Sequence, residues 1–146
     1  MTISKEQIIK YFKSGIKEKK NFKIGIEHEK FLFNGRNNKR IDYSKVKKMF
    51  SALNEFGWSP IKENENIVGL NKGGKNITLE PGNQIELSGD KLNHMHEACA
   101  ESQDYLFELE QVTKKLDIKI VSSGFDPFSK LEEIPNNPKE RYKLMT

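Results

Sequence analysis

Apolar residues recur along this chain at two spacings, and the switches between them lay out its elements. Ser4 stands where an N-cap belongs, and Ile8, Ile9 and Phe12 form one side of a helix running to about Gly15. A polar connection at 17–21 follows. Alternation then takes over, so 22–33 reads as a strand and 34–38 as a loop. Val46, Phe50, Leu53 and Phe56 return to helical spacing across 43–56, which Gly57 ends. Short strands are expected at 58–62, 66–71, 75–80 and 84–88, with Lys72-Gly-Gly-Lys75 as a hairpin turn. The longest helix is expected over 91–116, burying Leu92, Met95, Cys99, Leu106, Leu109 and Leu116. A last strand at 118–125 precedes a loop at 126–138, which holds three of the five prolines. Lys139 to Met145 reads as the first turns of another helix, with no stop signal before Thr146. Strands clustered between helices, without regular βαβ alternation, predict an α+β fold: an antiparallel sheet backed by helices. No internal repeat is present.

Polar positions inside two of these strands change the picture. Glu27 and Glu29 lie in Gly25-Ile-Glu-His-Glu-Lys-Phe31, and Glu80 and Glu86 in Leu79-Glu-Pro-Gly-Asn-Gln-Ile-Glu-Leu-Ser88. Alternate residues of a strand share a face. Glu27 and Glu29 therefore point one way and Ile24, Ile26 and His28 the other. Glu80 goes with Thr78, and Glu86 with Gln84 and Ser88, leaving Ile77, Leu79, Ile85 and Leu87 for a core. Such alternation also fits a plain solvated sheet face. Glutamate is depleted in strands, however, and four of them in strand context suggest a cradle for cations. Two like charges at about 4 Å repel by roughly 4 kcal/mol at an effective dielectric near 20, so converging carboxylates either take up protons or hold ions. Hard oxygen donors favour Mg²⁺ or Mn²⁺.

Charge and cysteine usage bound the alternatives. The chain's 146 residues suit one domain, and its net charge is +4. Residues 1–50 carry 14 basic and 5 acidic side chains, whereas the remainder carries 11 and 16. That asymmetry invites a nucleic-acid reading, but the lysines spread over helical turns without interleaved aromatics or a binding motif. A Lys-rich solvated surface, whose field favours anionic substrates, accounts for it better. A single cysteine, Cys99, excludes an internal disulfide, which argues for a reducing, cytoplasmic setting. The N-terminus lacks the apolar core of a secretory signal, and no membrane span is expected.

Smaller features carry structural readings. Gly73-Gly-Lys75 lacks the rest of a phosphate loop. His94 and His96, two apart on a helix, are expected to point away from each other and not to share a metal. His28 is expected to be packed and hydrogen-bonded, and Cys99 to be a buried small hydrophobe.

Five blocks in order carry a family resemblance: Gly25 to Phe31, Ile67 to Leu70, Leu79 to Gly89, Leu92 to Glu101 and Ile134 to Tyr142. From about Phe22 to Thr146 the chain resembles glutamate–cysteine ligases of the plant and proteobacterial type. Leu-Glu-Pro-Gly-x-Gln-x-Glu-Leu-Ser is the most specific block. Asn83 departs from the family's usual second glycine, and Leu32 stands where a glycine is common; neither position bears a carboxylate.

The resemblance implies a glutamine-synthetase-like catalytic sheet in a longer chain, of which 22–146 would be the N-terminal portion and 1–21 a preceding helix and connection. It implies an ATP-dependent ligase. Glutamate's γ-carboxylate attacks the γ-phosphate of ATP, and cysteine's amino group captures the resulting acyl phosphate, giving γ-glutamylcysteine. Glu27, Glu29, Glu80 and Glu86 would hold Mg²⁺ or Mn²⁺, and Gln84, Ser88 and Arg141 would contact substrate. Arg141 and its neighbour Tyr142 equally fit a substrate contact or a plain helix anchor. ATP, L-glutamate and L-cysteine are the implied partners. A related carboxylate–amine ligase with another acceptor, or a noncatalytic nucleic-acid-binding module, is the alternative.

Overall fold

The computed structural model describes residues 3–144, apart from the side chain of Lys143. Six strands form an antiparallel arrangement in the order β2-β3-β4-β5-β1-β6. They are β1 (Glu27–Asn34), β2 (Ser59–Glu63), β3 (Asn66–Lys72), β4 (Lys75–Glu80), β5 (Gln84–Ser88) and β6 (Ile118–Val121). The helices are α1 (Lys5–Ser14), α2 (Tyr43–Leu53) and α3 (Met95–Lys115). The expected antiparallel sheet backed by helices is what forms.

One sheet face makes the core. Leu32, Leu70, Ile77, Leu79, Ile85 and Leu87 pack with Val46, Met49, Phe50 and Leu53 of α2 and Tyr105, Leu109 and Val112 of α3. Each such side chain contributes about 1.5–3 kcal/mol by leaving water. Truncating Leu87 to Ala, for example, removes a fully buried side chain and is expected to cost about 2–5 kcal/mol.

Turn chemistry sets the register. Lys72 pairs with Lys75 across a Gly73-Gly74 turn in which Gly73 takes φ +64°, as the expected hairpin requires. Past Glu80, Pro81–Asn83 makes a single tight turn with Gly82 at φ +65° and Asn83 at +57°. Asn83 tolerates this left-handed conformation and, fully buried, donates its Nδ2 to the Ile41 carbonyl at 3.0 Å. A glycine there would supply the conformation without the bond.

Several expected elements differ in extent. The first strand begins at Glu27, not at residue 22; before it, Ile24 meets Leu92 in an isolated bridge. β6 ends at Val121, where Ser122-Ser123-Gly124 replaces its apolar alternation. The closing helix is a short 3₁₀ turn, Glu140–Leu144, among the described residues; Met145 and Thr146 lie outside them.

The largest correction concerns α3. It starts at Met95 behind His94, which caps it with φ −155° and ψ 166°. His94 is therefore not helical, and its ring meets that of His96 edge-on, centroids 5.9 Å apart. The expectation that the two point apart fails for that reason. Ala98, Glu101, Tyr105, Leu109, Val112 and Thr113 are buried, whereas Met95, Cys99 and Leu106 are exposed. Leu92 and Leu116 are half-buried. Glu101 hid this stripe from the sequence. It tolerates burial because its carboxylate accepts the Asp90 N–H at 3.1 and 3.2 Å and lies 3.9 Å from Lys75 Nζ.

Helix α1 forms as expected, with a complete capping box between Ser4 and Gln7. None of its residues is buried, so Ile8, Ile9 and Phe12 line a side that nothing covers among the described residues.

Candidate metal and substrate face

The sheet's second face is polar, and its rows follow from register. Glu29 of β1 stands opposite Glu86 of β5, which stands opposite Thr78 of β4. Glu27 stands opposite Ser88, and Ser88 opposite Asn76; Gln84 stands opposite Glu80. Residues directly opposed across a ladder point to the same side, with Cβ atoms about 4.5–5.5 Å apart. All four glutamates, Gln84 and Ser88 therefore share one face. His28 lies on the other, its Nε2 3.1 Å from Ser102 Oγ, packed and hydrogen-bonded as expected. Burial lowers the His28 pKa, and the neighbouring Lys30 charge adds to that.

Each carboxylate has its own surroundings. Gln84 Nε2 donates to Glu29 Oε2, and Ser88 Oγ donates to Glu86 Oε1 at 3.1 Å. Both donors are neutral, so the negative charges stay uncompensated. Glu27 is exposed at the start of β1.

Glu80 is different, because it is saturated with donors. Thr78 Oγ1 at 2.8 Å, Lys139 Nζ at 3.1 Å, Arg141 Nη2 at 2.9 Å and the Tyr142 hydroxyl all bond to its carboxylate. Asn137 Nδ2 adds a bond to its backbone carbonyl at 2.8 Å. Burial pushes the Glu80 pKa up, but the bonds from Tyr142, Thr78 and Lys139, with the Lys139 charge, outweigh it and hold the group below the usual carboxylate range. Lys139 is itself 5% exposed. Residues 137–142 are thus strapped onto the end of the polar face by one carboxylate.

A second clasp holds the preceding loop. The Arg40 guanidinium lies over the rings of Phe31 and Phe33, 5.0 and 5.5 Å from their centroids, and donates from Nη1 to Asp126 at 2.9 Å and from Nη2 to the Gly82 carbonyl. Asp126 in turn accepts the N–H groups of Phe128 and Ser129 at 2.9 and 3.0 Å. Burial opposes its ionisation, yet these backbone bonds and Arg40 bring its pKa down to about 2.

The structure therefore brings Glu27, Glu29 and Glu86 onto one open surface and gives Glu80 to cations of the chain. Among the described residues, no three carboxylate, imidazole or thiol groups close around a common point as a ready metal cage. The donors that face together, carboxylates with hydroxyls beside them, do fit a hard divalent ion. Arg141, expected at substrate, is engaged by Glu80 and by the Tyr142 hydroxyl at 2.5 Å. Thr78 is placed on the Glu80 face by alternation, whereas Lys139 and Asp126 are contributors that pattern reading did not single out. Lys139, Arg141 and Tyr142 did have a signal: two cations and a phenol follow a proline-rich run within four positions.

Known proteins resemble this chain along nearly its whole length. The model of glutamate-cysteine ligase family 2 matches residues 23–146. The chain belongs to that family. It is 40% identical over 144 residues to glutamate–cysteine ligase A, chloroplastic, of Oryza sativa subsp. japonica, covering 98% of this chain and 29% of the rice protein. Against the chloroplastic glutamate–cysteine ligases of Nicotiana tabacum and Arabidopsis thaliana the identity is 38% and 37%, over 98% of this chain and 28% of each relative. The chain thus spans less than a third of the length of these relatives. Their names overturn the cytoplasmic setting expected from the sequence, since each is a chloroplastic protein. A lone cysteine reports on redox conditions and does not distinguish one reducing compartment from another.

Proposed function

We propose that this chain supplies the carboxylate face of an ATP-dependent ligase joining the γ-carboxylate of L-glutamate to the amino group of L-cysteine, the first step of glutathione biosynthesis. The family match carries the reading, and the row in which Glu29 opposes Glu86 supports it. In this reading the sheet is part of a glutamine-synthetase-like catalytic domain, with 22–146 its N-terminal portion and 1–21 an appended helix and connection.

The chemistry needs a carboxylate to approach a polyanion. Glutamate's γ-carboxylate is a poor electrophile until it has taken the γ-phosphoryl group, with ADP leaving; the amine of cysteine then displaces phosphate from the acyl phosphate. Mg²⁺ or Mn²⁺, when bound, would screen the phosphate charges that oppose this approach. Glu27, Glu29 and Glu86 are the residues that would hold it. Gln84 and Ser88 fix the orientation of Glu29 and Glu86 through their hydrogen bonds. Glu80 joins that set only when residues 139–142 give it up, and its release frees Arg141 for an anionic substrate. Small molecules are the expected partners, and nucleic acid is not: cations such as Lys45, Lys72 and Lys119 are engaged by oxygens of this fold.

The test is ADP release by the full-length protein with glutamate and a varied amine acceptor. Cysteine should support the fastest turnover. If 2-aminobutyrate, which lacks the thiol, or an unrelated amine clearly exceeds it, the assignment to cysteine falls and another carboxylate–amine ligase takes its place.

A further inference from the structure

Away from the carboxylate face, the 36–40 turn and the 126–134 loop enclose a hollow of about 490 Å³, lined by Asn37, Asn38, Lys39, Arg40, Phe128 and Glu133 among others. Its hydrogen-bond inventory is lopsided. Asn37 spends its side-chain oxygen on the Lys39 N–H at 3.1 Å, and Asn38 spends its own on Lys119 Nζ at 3.1 Å. Both side-chain NH₂ groups are left as donors. The Lys39 ammonium has no partner among the described residues. Arg40 lines the hollow as well, but its side chain is 2% exposed and its guanidinium is committed to Asp126 and the Gly82 carbonyl. Lys119 Nζ adds positive charge 5.0 Å from the centre of the Phe128 ring. Against these stands Glu133, whose Oε2 already accepts the Lys130 N–H at 3.0 Å.

We propose that this hollow binds a phosphate group. The free amide NH₂ groups of Asn37 and Asn38 and the Lys39 ammonium offer donors and positive charge to an oxyanion, and the volume falls within the range typical of small-molecule sites. The phosphate comes either as the free ion or as the phosphate of a nucleotide whose base lies against Phe128. The inference does not rest on the ligase reading, because no lining residue belongs to the carboxylate face.

Calorimetric titration of the full-length protein with inorganic phosphate and, separately, with AMP tests it. Lys39→Ala should weaken phosphate binding roughly fivefold, as expected for one charge-assisted hydrogen bond at a partly open site. Glu133→Gln should tighten it. Glu29→Gln, which alters the carboxylate face, should leave it unchanged, so that failure of the hollow and failure of the ligase reading are told apart. AMP binding more tightly than phosphate, with the excess lost in Phe128→Ala, would assign the nucleotide as source; equal affinities would assign the free ion. Absence of phosphate binding, or affinities that neither Lys39→Ala nor Glu133→Gln changes, would overturn the proposal.

Discussion

Glu29 and Glu86 occupy directly opposed positions of the β1–β5 ladder, two like charges side by side on one sheet face. Opposed like charges destabilise a ladder by a few tenths of a kcal/mol to about 1 kcal/mol, so the pair is a cost to the fold unless a cation offsets it.

That relationship gives opposite signs for two measurements on one variant. Glu86→Gln should raise the thermal midpoint slightly in chelator, because repulsion is relieved. It should also weaken binding of Mg²⁺ or Mn²⁺ by about tenfold, consistent with loss of one charged ligand. Calorimetry and thermal unfolding, each with and without metal, read both. Metal affinity unchanged in both Glu86→Gln and Glu29→Gln would remove these residues from the ligand set.

Glu80 holds residues 137–142 by charge, so that contact should depend on pH. Its folded pKa lies below the ordinary carboxylate value. The stabilisation is therefore full above the unfolded pKa and disappears as pH falls through the folded one. Hydrogen exchange of 137–142 should rise on acidification ahead of exchange in β3 and β4. At neutral pH, Glu80→Gln should already show the fast exchange and lose about 1.5–3 kcal/mol, the range for hydrogen bonds to a charged group.

Asp126 sets a second acid transition. With a folded pKa of about 2 against an ordinary value of 3.8, it contributes about 2 kcal/mol above pH 4, lost progressively toward pH 2. Asp126→Asn should be less stable than the parent at neutral pH, with the difference shrinking as pH falls through about 2. Arg40→Lys should not substitute, since lysine lacks the planar group that lies over Phe31 and Phe33 while reaching both Asp126 and Gly82.

Cys99 is exposed on α3. It should react with a thiol reagent in the native protein at a rate that denaturant raises little. Cys99→Ser should shift stability by no more than about 0.5 kcal/mol. Protection of the thiol until unfolding would contradict the phase of α3 described here.

Sheet faces were legible because a strand's period of two leaves one choice: once Ile77, Leu79, Ile85 and Leu87 turn inward, Glu80 and Glu86 must turn out. The phase of α3 was not, because Glu101 and Thr113 sit among its buried positions while Met95 and Leu106 lie outside. Hydrophobicity misreads a helix whose buried carboxylate is satisfied by a distant backbone N–H. The strap on Glu80 was invisible for another reason. Its partners lie some sixty positions away along the chain, and no local period relates them.

The steps in β1 have a consequence of their own. Residues 27–30 pair with β5 and residues 31–34 with β6, on the strand's opposite side; β6 stops at Val121, level with Phe31. Beside Glu27 and Glu29 the outer rim of β1 thus has no neighbouring strand among the described residues, and its amide and carbonyl groups there are open to pairing. Any extended segment laid along that rim would be hydrogen-bonded by the main chain of the same two residues whose carboxylates mark the site. Building a seventh strand and closing one end of the carboxylate face would then be a single event.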